Sequence, residues 1–257
     1  MSIIRLLVGL VWVVLCGHPA WAATPIDSLS YSPDVTVDFA GSLLHDETVV
    51  EDNLAGTLTP LNLGVLPDRA AITAYHRRPN GDQLFVLDIT VNLGGLVLTP
   101  RDVIRYDGSG YSLELDGAAA GLPDGAAIDA LTEVSAKMAI SLDSSVLLPG
   151  IHVDDEDLVL LDGKLPMLLF DGSAAGVDPA LDLDGADAFP SGNLLLSFDG
   201  SGVVGGTVLF DDEDVLEYDP KTGTFELVYD GSILQPGWPA ADLEALAAEQ
   251  SGLGGPP

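Results

Sequence analysis

Cysteine and basic residues are scarce in this sequence. It has one cysteine, Cys16, and nine lysines and arginines against 40 aspartates and glutamates, which gives a formal net charge of −31. A disulfide framework and a zinc site built on thiolates are therefore excluded as the means of holding the fold. Nucleic acid and anionic membrane surfaces are poor partners for so negative a body, because their phosphate charge would repel it.

Long apolar runs are also missing. Arg5 precedes an apolar run over residues 6–16, and the sequence AWA at 20–22 matches the small-x-small pattern of signal peptidase sites. The run is shorter than the roughly 18 residues of a transmembrane helix. We predict that residues 1–22 are a signal peptide, that residues 23–257 are a single domain without a membrane span, and that the protein is periplasmic or extracellular.

The residues that are plentiful favour β-structure. Hydrophobic residues make up 47% of the chain, which is enough for a sizeable core and argues against a disordered acidic protein. Most of the acid is aspartate, which favours turns, rather than glutamate, which favours helices, and 29 residues are glycine. This composition indicates many short strands joined by turns.

Internal repeats define the architecture. A first segment recurs as ITAY at 72–75, IDAL at 128–131, ADAF at 186–189 and LEAL at 243–246, and the steps between Thr73, Asp129, Asp187 and Glu244 are 56, 58 and 57 residues. Each of the first three copies is followed by three further apolar segments. The second segment reads LFVLD, MAISLD and LLLSFD in the three repeats, the third reads RDVIRYD, EDLVLLD and EDVLEYD, and the fourth reads YSLELDG, MLLFDG and FELVYDG. Four short runs per repeat, the last three of which end in Asp or Asp-Gly, predict four antiparallel strands.

The two ends of the chain supply one more repeat. Segments at 35–39, 47–53 and 57–64 match the second, third and fourth strands, while the missing first strand reappears at 243–246. Four-stranded repeats of 40 to 60 residues are typical of β-propellers. We predict an all-β, four-bladed propeller of about 57-residue repeats, closed by pairing of the terminal segments. The blades are predicted at 35–64 with 242–247, then 66–117, 122–172 and 178–231.

Two alternatives stand beside this prediction. The Ala- and Leu-rich stretch at 239–249 has the composition of a terminal helix. The same strands could also form an open sandwich or a solenoid, but a solenoid would not divide one repeat between the two termini.

The repeats LLLSFD at 194–199 and DDEDVLEYD at 211–219 resemble those of uncharacterised bacterial secreted β-propeller proteins. This resemblance implies a fold and an exported location but no activity. The blade pattern is also distantly similar to hemopexin-like repeats, which form four-bladed propellers. The aromatic-rich strands and terminal disulfide of that family are absent here, so its ligands are not carried over.

Acidic residues supply two candidate cation sites. Adjacent carboxylates repel one another, and a hard cation such as Ca²⁺ relieves that repulsion by accepting oxygen ligands. One candidate is the DDED sequence before the third strand of two blades; the other is the acid repeated on the inner strands, which line a propeller channel. The alternatives are solvated turns in the first case and carboxylates bonded to backbone N–H groups in the second. The candidate ligands are Asp154, Asp155, Glu156, Asp157, Asp211, Asp212, Glu213, Asp214, Asp129, Asp187 and Glu244.

The arginines outside the signal segment all lie between residues 66 and 107, where five aspartates balance them. His76, Arg77 and Arg78 form a candidate patch for an anionic ligand or for weak self-association. The alternative is that these arginines only neutralise neighbouring acids.

Catalytic motifs are weak. His45, His76 and His152 lie outside metal-binding spacings, and no nucleophile elbow is present. The sequence therefore favours an exported binding module for a protein or glycan, stabilised by calcium, with no catalysis that it identifies. The alternative is a secreted polysaccharide hydrolase with paired carboxylates in the funnel.

Overall fold

The structure, a computed structural model, describes residues 26–39, 41–163, 165–235, 238 and 241–250. The predicted signal peptide, residues 1–22, lies outside the described residues. Within them the chain forms 24 strands and three helices of a single turn. In that described part, no helix is long and apolar enough to cross a membrane.

The first blade contains both ends of the described chain. From the centre outward its strands are β24 (Leu243–Glu249), β1 (Ser28–Pro33), β4 (Val50–Asp52) and β5 (Leu58–Pro60), all antiparallel. Strand β24 pairs with β1 along its whole length, from Ser28 opposite Glu249 to Pro33 opposite Leu243. The N- and C-terminal segments therefore close the ring as predicted.

The other three blades follow one another along the chain, each with its first strand innermost. From the centre outward, the second blade contains β6 (Ile72–Arg77), β7 (Gln83–Leu87), β10 (Val103–Tyr106) and β11 (Tyr111–Leu115). The third blade contains β12 (Ile128–Val134), β13 (Lys137–Leu142), β16 (Leu158–Leu161) and β17 (Met167–Phe170). The fourth blade contains β18 (Gly185–Ala188), β19 (Leu194–Ser197), β22 (Val215–Asp219) and β23 (Thr224–Tyr229).

A small hairpin connects the second strand of every blade to the third. The hairpins are β2 (Val37–Phe39) with β3 (Ser42–Leu44), β8 (Val91–Leu93) with β9 (Leu96–Leu98), β14 (Val146–Leu148) with β15 (Ile151–Val153), and β20 (Gly202–Val204) with β21 (Val208–Phe210). One-turn helices follow the outer strands of the last three blades: α1 (Gly117–Ala120), α2 (Gly172–Ala175) and α3 (Gly231–Leu234).

The inner strands surround a central channel. Strand β24 contacts β6, β6 contacts β12, β12 contacts β18, and β18 contacts β24 again. Four sheets in a closed cycle are a four-bladed propeller, so the predicted fold class is confirmed. The hydrophobic core consists of four clusters, one between each pair of neighbouring blades. Every blade therefore depends on both neighbours to bury its two faces.

One detail of the first blade differs from the prediction. Residues 35–39 are not the second strand, because Val37–Phe39 belongs to the hairpin and Ser28–Pro33 pairs with the closing strand instead. The regular alternation of VTVDF suggested a ladder strand, while the proline and serines of LSYSPD at 29–34 concealed one. The terminal-helix alternative is also wrong, since Leu243–Glu249 is extended and paired.

Candidate functional site

The start of the inner strands can be aligned by their backbone hydrogen bonds. The N–H groups of Ile72, Ile128, Leu183 and Leu243 each donate to a carbonyl in the loop before the third strand of the preceding blade. The residue that follows each of these four therefore occupies an equivalent position in its blade, at the end of the channel where the inner strands begin. These four residues are Thr73, Asp129, Asp184 and Glu244.

The repeat position assigned to Asp187 from the sequence is therefore wrong by three residues. Asp184 is the equivalent of Asp129 and Glu244, and the aligned segment is LDGA at 183–186 rather than ADAF at 186–189. Both segments place an acid before a small residue, which made them hard to distinguish by pattern. The residue before the acid distinguishes the two segments, because the large aliphatic Leu183 precedes Asp184 whereas the small Ala186 precedes Asp187.

Carboxylates at this end of the channel are held in an unfavourable environment. Burial, followed by repulsion from neighbouring carboxylates, raises the pKa of Asp129 to about 9. The same causes raise the pKa of Glu244 to about 8. They also raise the pKa of Asp184 well above its usual range. Asp182 and Asp242, which precede two inner strands, have pKa values raised to about 7, mainly by burial. We call these five residues the acidic end.

Several oxygens of the acidic end have no donor. Buried oxygens of Asp129 (Oδ2), Asp182 (Oδ1), Asp242 (Oδ1) and Glu244 (Oε2) accept no hydrogen bond. The side chains of Asp184 and Asp242 lie close enough to form a hydrogen bond once one of the two carboxyl groups holds a proton. Within the described part of the chain, no group of three or more His, Cys, Asp or Glu is arranged to hold a metal ion.

The DDED loops have a structural role in their own blades. Asp157 accepts the N–H of Gly172 through Oδ1 at 2.9 Å and that of Asp154 through Oδ2 at 3.0 Å. Asp214 makes the same two bonds, with Gly231 at 3.1 Å and Asp211 at 2.9 Å. Both aspartates therefore tie the loop before the third strand to the helix after the fourth.

The glycine in this contact is required by the close packing of the backbone. A Cβ atom at Gly172 would lie 2.6 Å from the carbonyl oxygen of Glu156, and one at Gly231 would lie 2.4 Å from that of Glu213. The second blade repeats the arrangement with Asp102, which accepts the N–H of Gly117 at 3.0 Å. The glycine of the Asp-Gly that follows the outer strands of the last three blades thus has a packing reason.

The remaining loop acids point to separate partners. Glu156 accepts the hydroxyl of Ser173, and Asp154 lies 3.1 Å from Nδ1 of His152. Burial and a hydrogen bond with Asp212 raise the pKa of Glu213 to about 7. The carbonyl of Asp155 accepts the N–H of Leu183. Calcium binding by these loops stays a prediction.

We expect Asp157→Ala to lower the free energy of unfolding by about 1–3 kcal/mol, because it leaves two backbone N–H groups without an acceptor. The matched control is Asp154→Ala in the same loop, whose side chain is 42% exposed and lies 3.1 Å from an exposed histidine. Denaturant unfolding in the presence of a chelator compares the two variants. Equal stability of both variants would show that the hydrogen bonds accepted by Asp157 do not stabilise the fold.

The opposite end of the channel forms an open cavity of about 570 Å³. The ends of all four inner strands and the turns after them line it, and we call it the channel mouth. Its polar lining consists of His76, Arg77, Arg78, Glu133, Asp187, Glu249 and Gln250, and its apolar lining of Pro79, Ala136, Ala188, Phe189, Pro190 and Ala248.

Asp187 is the most firmly held polar group of the mouth. Its Oδ1 accepts the hydroxyl of Thr132 and the N–H of Ala188, both at 2.9 Å, and its Oδ2 accepts the N–H of Ala248 at 2.8 Å. It therefore joins the inner strands of three blades. His76 places Nδ1 3.5 Å from Oδ1 of Asp187, and this nitrogen is buried without a hydrogen-bond partner.

The predicted patch His76, Arg77 and Arg78 lies in the mouth, but both guanidinium groups are already paired. Arg77 contacts Glu51 at 2.9 Å and Glu249 at 3.0 Å. Arg78 contacts Glu114 and Glu133, each at 2.6 Å, and its hydrogen bonds lower the pKa of Glu133. An anionic ligand would have to compete with four carboxylates.

The comparisons with known proteins identify no family. No family model matches the chain, and no curated protein matches it. Solved structures that it resembles include an inactive virginiamycin B lyase from Staphylococcus aureus with quinupristin, at 10% identity and a TM-score of 0.34, over 80% of this chain and 71% of that one. YCF48 from Cyanidioschyzon merolae is similar at 9% identity and a TM-score of 0.34, over 79% of this chain and 56% of that one.

A third similar structure is the extracellular domain of a putative one-component system from B. thetaiotaomicron. It is 12% identical with a TM-score of 0.31, over 79% of this chain and 23% of that one. The chain thus spans about a quarter of that domain and just over half of YCF48. The assignment of the fold rests on the strand pairing described above.

Proposed function

We propose that the protein is an exported interaction module that binds, at the channel mouth, a partner segment carrying a positive charge. The observation that carries this proposal is a cavity formed by all four blades, with acidic and apolar groups side by side. The signal-like sequence at residues 1–22 supports export.

The charge of the mouth determines the class of partner. Each arginine of the mouth lies between two glutamates, and Asp187 adds a further carboxylate. The whole chain carries a formal charge of −31, so its field attracts cations and repels anions. A lysine or arginine side chain can approach Glu249, which is 55% exposed, while apolar neighbours contact Phe189 and Pro190.

The acidic end has a separate role in this proposal. We infer that bound protons lower its charge and that calcium does so as well where it is available. The support is the set of buried carboxylate oxygens that accept no hydrogen bond. An ion bound only by the folded ring adds stability by mass action.

The polysaccharide hydrolase alternative is less well supported. A glycosidase needs a carboxyl group of raised pKa and an ionised carboxylate on either side of the scissile bond. In this protein the carboxyls of markedly raised pKa that line the channel lie at the acidic end, whereas the carboxylates of the mouth bond to guanidinium and backbone N–H groups. This separation favours binding over hydrolysis.

Two synthetic pentapeptides, Gly-Lys-Phe-Lys-Gly and Gly-Glu-Phe-Glu-Gly, test the proposal by calorimetry at low salt. We expect the lysine peptide to bind and the glutamate peptide not to bind. Glu249→Gln should weaken binding at least threefold, since it removes a carboxylate and leaves Arg77 less neutralised.

Glu226→Gln is the matched control, with the same change of charge on the outer strand β23. Equal weakening by the two substitutions would mean that the peptide only senses the total charge, and the proposal would be abandoned. Sedimentation of the Arg77→Ala, Arg78→Ala double variant tests the weak self-association expected through the second blade.

A further inference from the structure

The outer strand of the third blade has an unusual edge. Every blade ends in an outer strand with one unpaired edge, and natural proteins usually protect such edges with charge or proline. Strand β5 contains Pro60, β11 contains Glu114 and β23 contains Glu226. Strand β17 reads Met-Leu-Leu-Phe and contains neither, although Pro166 directly precedes it.

Strand β17 is fixed in place while its edge stays accessible. It pairs with β16 through Met167, Leu168 and Phe170, and no described strand pairs with its other edge. Leu168 packs against the core between the second and third blades, and Leu169 against the core between the third and fourth. Since alternate residues of a strand direct their N–H and C=O groups to opposite edges, the free edge presents backbone donors and acceptors.

Exposed apolar side chains surround this edge. Met167 is 52% exposed, and Leu165, two residues before it, is 66% exposed. A cavity of about 380 Å³ lies beside them between the second and third blades. We call it the outer groove; its apolar walls include Met138, Leu161 and Pro166, and its acids are Glu114, Asp116 and Asp162.

We infer that the edge of β17 accepts an extended segment of a partner protein as a fifth strand of the third blade. Backbone hydrogen bonds along β17 would hold the segment, and aliphatic side chains would contact Met167 and the outer groove, as in other cases of strand addition. A basic residue in the segment matches Asp116, the exposed acid of the groove, since Glu114 pairs with Arg78 and Asp162 with Lys137. This surface lies at the circumference of the ring and is separate from the channel mouth.

Charge selects a different protein as the occupant rather than a second copy of this chain. Two copies would each bring a formal charge of −31 and place the acids of their grooves near one another. A heterologous strand with lysine or arginine brings the opposite charge to the same place.

The test uses a fluorescent peptide, Val-Lys-Val-Lys-Val, and two N-methylated forms, one methylated at the central valine and one at the lysine that follows it. Neighbouring residues direct their N–H groups to opposite edges, so one of the two methyl groups removes a donor that faces β17. We expect the unmodified peptide to bind and to slow amide hydrogen exchange in β17, and one of the methylated peptides to bind at least fivefold more weakly. Equal binding of all three peptides, or no protection of β17, would overturn the inference.

Met167→Lys should reduce binding at least fivefold, because it places a charge on the edge that repels the peptide. Ile233→Lys is the matched control, since it makes the same change at a residue of α3 that is 73% exposed. Both sites are more than half exposed, so both variants should fold, and thermal unfolding checks this. An excess of Gly-Lys-Phe-Lys-Gly is present in each measurement to occupy the channel mouth, so protection of β17 reports on the edge alone and failure of the mouth proposal is distinguishable.

Sedimentation gives the competing outcome. A dimer of the native protein that Met167→Lys abolishes would identify a second copy as the occupant and would contradict the choice of a heterologous partner.

Discussion

A chain truncated after Pro236 is expected to lose the cooperative fold of the whole domain rather than to fray at one end. The deletion removes β24, the innermost strand of the first blade, which pairs with β1 and contacts the inner strands on both sides. Opening the ring exposes a sheet edge and the apolar faces of the first and fourth blades.

The buried side chains lost with β24 explain the size of the effect. Leu243, Leu246 and Trp238 are almost completely buried, and Trp238 contacts the rings of Tyr31 and Phe39 in the first blade. Burial of one such side chain contributes about 1.5–3 kcal/mol or more. Their combined loss is comparable with the stability of a typical domain, about 5–15 kcal/mol.

The core between the first and fourth blades also contains a buried acid, Asp52, whose hydrogen bonds the truncation would weaken. Asp52 accepts hydrogen bonds from Tyr31 at 3.3 Å, Tyr229 at 3.4 Å and Gln235 at 3.1 Å. These residues come from the first blade, the fourth blade and the connection that follows it. A loosened interface would therefore cost polar contacts as well as apolar burial.

Thermal unfolding followed by circular dichroism measures this result. The control chain ends at Gln250 and keeps all of β24, and it should unfold cooperatively like the full sequence. A truncated chain with the melting temperature of this control would contradict the importance of ring closure.

The fold was predictable because each blade repeats a strong local pattern. Apolar runs that end in Asp or Asp-Gly mark the strands and turns. The structure explains the glycine of the Asp-Gly, whose N–H donates to Asp157 in the third blade and to Asp214 in the fourth. The first blade was harder, because Ser28–Pro33 is rich in serine and buries its hydroxyl groups. Ser32, for instance, donates to the carbonyl oxygens of Asp46 and Thr48.

The candidate sites were predictable only in part. The sequence placed Asp129 and Glu244 on inner strands, but Asp187 was aligned with them instead of Asp184, since both aspartates precede a small residue and lie only three positions apart. His76, Arg77 and Arg78 were recognised as a patch, yet their glutamate partners come from positions far apart in the chain. Long-range pairing of this kind leaves no local pattern.

The stability of the protein is expected to fall as the pH rises from about 5 to about 9. The folded state raises the pKa of Asp182, Asp242 and Glu213 to about 7, that of Glu244 to about 8 and that of Asp129 to about 9. The folded chain therefore binds more protons than the unfolded chain in this range, and stability decreases with pH. Each pKa unit corresponds to about 1.4 kcal/mol, so several buried carboxyls together amount to several kcal/mol.

The sign is opposite for Glu133, whose pKa the Arg78 guanidinium lowers. Glu133 contributes to stability at a pH above the ordinary pKa of glutamate. This contribution is lost only when the pH falls to the lowered pKa that Glu133 has in the folded state. Maximum stability is therefore expected in weak acid. An ordinary acidic protein whose carboxylates are all solvated would show a much shallower decline above pH 5.

Asp129→Asn tests the origin of the decline, because it removes a carboxyl of the acidic end whose pKa is raised to about 9. The variant should be more stable than the native protein at pH 9 and should lose that advantage near pH 5, where the native carboxyl is protonated. Glu226→Gln, an equal change of charge on the outer strand β23, should leave the slope unchanged. Parallel pH profiles for all three proteins would contradict the argument.

Calcium provides the last step, because a bound cation and a bound proton relieve the same repulsion. If calcium binds at the acidic end, a millimolar concentration should raise the melting temperature most at pH 9, where the protons have left, and little at pH 5. Asp129→Asn should reduce this effect, and magnesium should be weaker because it gives up its water reluctantly. Sodium at matched ionic strength controls for screening of the −31 formal charge. If sodium reproduces the whole shift, protons alone neutralise the buried carboxylates and the calcium proposal fails, while the pH dependence stands.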